Sequence, residues 1–177
     1  VSEEDHVSDA EIWQLLERGG LRAEMPATNG SPDGEAAALR RVRKYNGLQD
    51  PSGAERLGVL LAERARGVRP DLVVVWEDVE DAILAFIVGR ELGIPVIRVV
   101  NADGLAESTR EFPPHSRAVL VGDVFTSVQT VGAVDALLDQ HGGKLATVVS
   151  LVDVGTPGLP VAVEALVAVE VEGVGDQ

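Results

Sequence analysis

Apolar residues recur along this chain in two rhythms, one at helical spacing and one in short continuous runs, and together they predict an α/β domain. In "DAEIWQLLERGG", Ile12, Leu15 and Leu16 share one helix face, Ser8 and Glu11 have the spacing of a capping box, and Gly19 closes the end. Residues 22 to 53 lose this rhythm in clusters of Pro, Gly, Asn and Asp, apart from a short helical pattern at 35 to 43. Regular alternation follows. "SGAERLGVLLAERARG" predicts a helix with Ser52 and Glu55 as its box and Leu57, Leu60, Leu61 and Ala65 turned inward. Then come the strand "DLVVVW", the helix "EDAILAFIVGRELG" ended by Gly93, the strand "IPVIRVV", a loop from Asn101 to Ser116, and the strand "RAVLVGDV". The helix "VQTVGAVDALLDQHGG", the strand "LATVVSLVDV", the turn "GTPG" and a partly buried strand "LPVAVEALVAVEV" complete the order. Continuous β-branched runs separated by helices imply a parallel sheet covered by helices on both faces.

Composition adds limits. A chain of 177 residues that is 45% hydrophobic suits one well-buried core, so a loose tail at 1–7 and a single domain at 8–177 are expected. No run of eighteen apolar residues exists and the acidic start "VSEEDHVSDA" has no apolar stretch behind it, which leads us to expect a cytoplasmic protein without a membrane partner. Without cysteine, thiolate metal sites and cysteine nucleophiles are excluded. Twenty-nine acids against 15 bases give a net charge of −14, a field that opposes nucleic acid. Only Lys44 and Lys144 are lysines, and "RRVRKY" at 40 to 45 reads as a solvated helix face. The three histidines are scattered, and no nucleophile elbow or dinucleotide fingerprint occurs.

Ligands of open parallel sheets sit at the carboxyl ends of strands, where helix N-termini present N–H groups. Two such ends carry chemistry. After "AVLV" come Gly122, Asp123, Val124, Phe125, Thr126, Ser127, Val128, Gln129 and Thr130. The hydroxyls of Thr126, Ser127 and Thr130 and the backbone of 126 to 130 suit a phosphate, and Asp123 suits ribose hydroxyls; equally, Thr126 or Ser127 is an N-cap. After the earlier strand come Trp76, Glu77, Asp78, Val79, Glu80 and Asp81. These acids read as a helix start complementing its dipole, as a hard-cation site built from Glu77, Asp78 and Asp81, or as an acidic patch for a basic partner.

In this layout the chain resembles the type I phosphoribosyltransferases, over roughly residues 8 to 171 and in the element order of the orotate branch. "EIWQLLERGGLRAEMPATNGSP" is similar to the opening helix and hood, "DLVVVWEDVEDAILAFIVGRELGIPVIRVV" to the pyrophosphate-loop unit, and "LVDVGTPGLPVAVEALVAVEV" to the closing strands. The resemblance implies a small hood at about 20–50, a core at about 52–153, closing strands at 154–172, and a homodimer or protein partner. It also implies a ribose 5′-phosphate held at Asp123, Thr126, Ser127, Val128, Gln129 and Thr130, with Asp123, on the ribose hydroxyls, as the catalytic residue and Mg2+ as cofactor if the protein is an active transferase.

The departures from that pattern fall on the ligand loops. Gly122 stands where the first of two acids belongs, and Val128 and Gln129 replace two glycines. Trp76, Glu77, Asp78, Glu80 and Asp81 replace a small glycine-rich turn that would receive pyrophosphate. The segment "NADGLAESTREFPPHSR" lacks the lysines of the resembled mobile loop and leaves Arg110 as a candidate clamp. Three readings are therefore expected in descending order: a catalytically eroded binding or assembly subunit with residual ribose-5-phosphate or nucleotide binding; an active phosphoribosyltransferase joining a nitrogenous base to phosphoribosyl pyrophosphate; and a ligand-free protein-binding scaffold. The scaffold would present Trp13, Trp76, Phe112 and Phe125 as an exposed patch.

Overall fold

The computed structural model describes residues 7–21 and 44–169. The helical pattern at 35 to 43, the tail and most of the expected hood lie outside them. Among the described residues are four helices, α1 (Asp9–Arg18), α2 (Pro51–Arg66), α3 (Val79–Leu92) and α4 (Val128–Gln140). The strands are β1 (Leu72–Trp76), β2 (Val96–Ala102), β3 (Leu105–Ser108), β4 (Arg117–Val124), β5 (Lys144–Asp153) and β6 (Val163–Ala168). They form one sheet of order β3-β2-β1-β4-β5-β6, parallel except for the β2–β3 pair.

The period-2 alternation of strand side chains divides the core in two. Val73 and Val75 of β1, with Val119, Val121, Val149 and Leu151, face α1, α2 and α3 through Leu16, Leu57, Leu61 and Leu84. Leu72 and Val74, with Leu120 and Val148, face α4 through Val131, Val134 and Leu138. Each fully buried aliphatic side chain contributes about 1.5 to 3 kcal/mol relative to exposure, so both layers are needed to hold the central strands.

The helix ends follow local chemistry. Ser8 and Glu11 form the expected capping box at α1. At α2 the expected box of Ser52 and Glu55 is absent: Asp50 is the cap, its Oδ1 accepting from the Gly53 N–H at 3.1 Å, and Pro51 begins the helix, where its missing N–H costs nothing. The Ser52 hydroxyl donates to Asp50 instead, and Arg18 at the end of α1 pairs with Asp50 at 3.0 Å, so one carboxylate joins two helices. The loop expected from Asn101 to Ser116 begins instead with a hairpin. Asp103 (φ 52°) and Gly104 (φ 88°) form a two-residue turn between β2 and β3, the conformation that Asp-Gly favours.

The last strand is also shorter than its apolar run, spanning six residues. The aromatic patch expected of a scaffold is not formed by its four candidates: Phe112 and Phe125 are buried, and Trp13 and Trp76 pack half-buried against the two core layers. Tyr45 is wholly buried, with its ring so close to Gly19 that a Cβ there would collide with it.

Replacing the observed cap distinguishes it from the expected one. Asp50→Ala lowers the urea midpoint of unfolding clearly, because the cap and the α1–α2 ion pair go together, whereas Ser52→Ala leaves it close to that of the unmodified chain.

Candidate functional site

Strand order reverses direction at β1: β2 lies on one side and β4 on the other. The carboxyl ends of β1 and β4 are therefore adjacent at a topological switch point, with the N-termini of α3 and α4 just beyond them. Both sequence-derived loops meet here.

The acids of the first loop are separated rather than massed. Glu77, exposed at the end of β1, accepts through Oε2 from the Asn101 N–H at 3.2 Å. Asp78 is the N-cap of α3, with Oδ1 accepting from the Glu80 N–H at 3.1 Å, and its other oxygen pairs with Lys44. Burial pushes the Asp78 carboxyl up, but the contacts with Glu80 and Lys44 outweigh it and hold it below the usual range. The same contact with Asp78 raises Glu80. Asp81 turns inward from the first turn of α3 and is 7% exposed, and its Oδ1 accepts from the backbone N–H of Asp123 at 2.8 Å. Among the described residues no group of three or more His, Asp or Glu is arranged to hold a metal ion, which speaks against the hard-cation alternative for Glu77, Asp78 and Asp81.

Asp123, 2% exposed at the end of β4, accepts through Oδ2 from the Tyr45 N–H at 3.1 Å and through Oδ1 from the Val124 N–H at 2.6 Å. Burial raises its carboxyl against the opposing effects of these donors and Lys44. Asp81 is pushed up to about 7, first by burial and then by the charge of Asp123. Lys44, pulled down by burial, is raised on balance by Asp78, Asp123 and Asp81.

Gly122 makes this arrangement possible. A Cβ there would lie 2.6 Å from Cζ of Phe125 and 3.3 Å from Oδ2 of Asp81, so the carboxyl and the ring occupy the space a side chain at 122 would need. Beyond it, Thr126 is exposed and Ser127 caps α4, its Oγ accepting from the Thr130 N–H at 3.3 Å and donating to Gln129. Val128 is the first residue of α4, and no residue from 122 to 130 has positive φ, so the chain enters the helix directly. Thr156 donates to the Phe125 carbonyl at 2.6 Å and ties this turn to the segment after β5. Arg110 is exposed on the segment after β3.

Sequence reasoning therefore found both loops and missed what joins them. Lys44 reads as one cation of a solvated basic run, yet it faces three site carboxylates. Tyr45 and Thr156 act through backbone and hydroxyl contacts that no spacing announces.

A mostly parallel sheet of this order, with helix N-termini at the carboxyl ends of β1 and β4, is the fold of several phosphoribosyltransferases. Adenine phosphoribosyltransferase from Thermoanaerobacter pseudethanolicus superposes with a TM-score of 0.66 at 15% identity, covering 89% of this chain and 99% of that one. Orotate phosphoribosyltransferase from Aeropyrum pernix gives 0.61 at 19% identity, over 89% and 93%. In sequence, the chain is 34% identical over 117 residues to orotate phosphoribosyltransferase of Heliobacterium modesticaldum, a match to 64% of this chain. It spans 61% of that relative's length. No family model matches. The chain thus has the type I phosphoribosyltransferase fold, and its sequence likeness is to the orotate branch.

The close approach at Gly122 gives a direct check. Gly122→Ala destabilises the protein by about 1 to 3 kcal/mol in urea unfolding, the usual range for overpacking, because the Phe125 ring and the Asp81 carboxyl occupy the space the methyl would need.

Proposed function

We propose that this chain is a phosphoribosyltransferase-like binding protein whose transferase chemistry is eroded. It holds a ribose 5-phosphate group, with Asp123 toward the ribose and Thr126, Ser127 and Thr130 at the phosphate. One observation carries the erosion: the N-terminus of α3, where a diphosphate would seek backbone N–H groups, is closed by the protein's own Asp78, with Glu77 and Glu80 beside it. A phosphate oxygen ~4 Å from one such carboxylate is opposed by roughly 4 kcal/mol at an effective dielectric of 20, and Lys44 offsets only part of several such charges. At α4 the hydroxyls remain and no carboxylate intrudes on the first turn.

A second reading is favoured by Lys44 itself. A cation paired with Asp78 and felt by Asp81 and Asp123 supplies charge that the first loop lacks, which an active transferase using Mg2+ needs when pyrophosphate departs. The 34% identity to an orotate phosphoribosyltransferase makes orotate the base to try.

Calorimetric titration of the full chain with ribose 5-phosphate and with phosphoribosyl pyrophosphate, each with and without Mg2+, tests the proposal alongside an assay for pyrophosphate release with orotate. We expect ribose 5-phosphate to bind, phosphoribosyl pyrophosphate to bind no more tightly, and no pyrophosphate to appear. Thr126→Ala, at an exposed position, weakens binding by about 5- to 10-fold, the worth of one hydrogen bond. Pyrophosphate release establishes the second reading, and absence of heat with both ligands overturns both.

A further inference from the structure

We infer that Tyr45 is a positioning residue coupling the end of α1 to the Asp123 carboxylate: its buried ring is a wedge that sets where Lys44 and the Tyr45 backbone N–H lie. The consequence for ligand affinity rests on the proposed ribose-phosphate site; the coupling of α1 to Asp123 does not.

Gly19 gives the first sign of the wedge. It ends α1 at φ −78°, a conformation open to any residue, so the backbone there makes no demand for glycine. The demand comes from the Tyr45 ring, which fills the space that a Cβ at 19 would need. The ring is wholly buried, whereas its hydroxyl meets no hydrogen-bond partner among the described residues. Burying an unpaired hydroxyl costs free energy, so the aromatic body and not the polar tip is what suits tyrosine to this position.

The backbone on either side of the ring is tied to several elements. The Asn46 N–H donates to the Gly19 carbonyl at 2.8 Å, joining the segment to the same residue that the ring covers. Gly47 lies against α2 and α3, where a Cβ would stand 3.2 Å from that of Ala54 and 3.4 Å from Cγ2 of Ile83. Toward the site, Lys44 pairs with Asp78, and the Tyr45 N–H donates to Oδ2 of Asp123 at 3.1 Å. The other donor to the Asp123 carboxylate is the N–H of its own neighbour Val124, so Tyr45 brings the contact that orients this side chain from outside β4. Close-packed interiors transmit displacements, and a methyl at 19 therefore shifts the ring and, with it, the donor to Asp123. A change at the end of α1 thus reaches the site without touching it.

Amide hydrogen exchange of the full chain, followed by NMR, tests the coupling without a ligand. In the unmodified chain the residue-45 amide is protected; in Gly19→Ala its protection falls about tenfold further than that of Leu120, a fully buried residue of β4. Tyr45→Phe keeps the ring, removes the unpaired hydroxyl and retains the protection of the unmodified chain. An equal fall at both amides in Gly19→Ala marks a general loss of stability and overturns the inference, as does a loss of protection in Tyr45→Phe. Should Gly19→Ala not fold, Tyr45→Leu, which adds no atom to α1, is read at the same two amides with the same expectation. Ribose 5-phosphate, titrated calorimetrically where each protein is fully folded, reads the consequence at the site. Gly19→Ala weakens binding by about tenfold, the worth of one hydrogen bond to a charged group, and Tyr45→Phe restores the affinity of the unmodified chain. Unchanged or tighter binding by Gly19→Ala overturns Tyr45 as a positioning residue. No binding by the unmodified chain, with the exchange difference intact, rejects the ribose-phosphate site and keeps the coupling.

Discussion

Burying two carboxyl groups near one another, where the carboxyl end of β4 meets the first turn of α3, is the constraint around which this molecule is arranged. Water would solvate Asp81 and Asp123 far better than a valine-rich interior does, so every lone pair facing inward requires a donor. The protein supplies them from three directions: the N–H of Asp123 for Asp81, and those of Tyr45 and Val124 for Asp123. Two of these donors are neighbours at the end of β4, and the third, from Tyr45, comes from the segment before α2. Meeting the electrostatic demand therefore brings together the segment before α2, the start of α3 and the end of β4.

That demand also explains how residues that look like losses fit together. Taken singly, a glycine at 122 removes an acid and an aspartate at 81 fills a turn meant to be small. In space they are complementary, since the carboxyl of Asp81 lies in the volume left free at Gly122, with the Phe125 ring beside it. The other acids of the first loop are similarly occupied, Asp78 with its helix cap and Lys44, Glu77 with Asn101. Charge that looks uniform along the sequence is differentiated by which backbone donors each carboxylate meets.

The scaffold was legible in the sequence because its causes are local and periodic. The runs "DLVVVW" and "RAVLVGDV" are buried on both faces, and Ser8 with Glu11 forms the expected cap. The errors arose where two local signals competed: Asp50-Pro51 against Ser52 and Glu55, and Asp103-Gly104 inside a stretch read as loop. The site was only half legible. Ser127 as a cap follows from its position before an apolar helix, but the partnership of Asp81 with Asp123, and the arrival of Lys44 beside both, depend on strand order. Periodicity carries no information about which strand ends become neighbours.

The bond from Tyr45 to Asp123 joins residues 78 positions apart. Closing a loop of that length costs chain entropy that only the assembled sheet returns, so this contact belongs to the late part of folding. Before it forms, Asp123 lacks one of its donors and the Tyr45 ring has not met Gly19. Completing the candidate site therefore waits on the assembled sheet, and a chain that has not yet closed this loop would have part of its sheet without its binding chemistry.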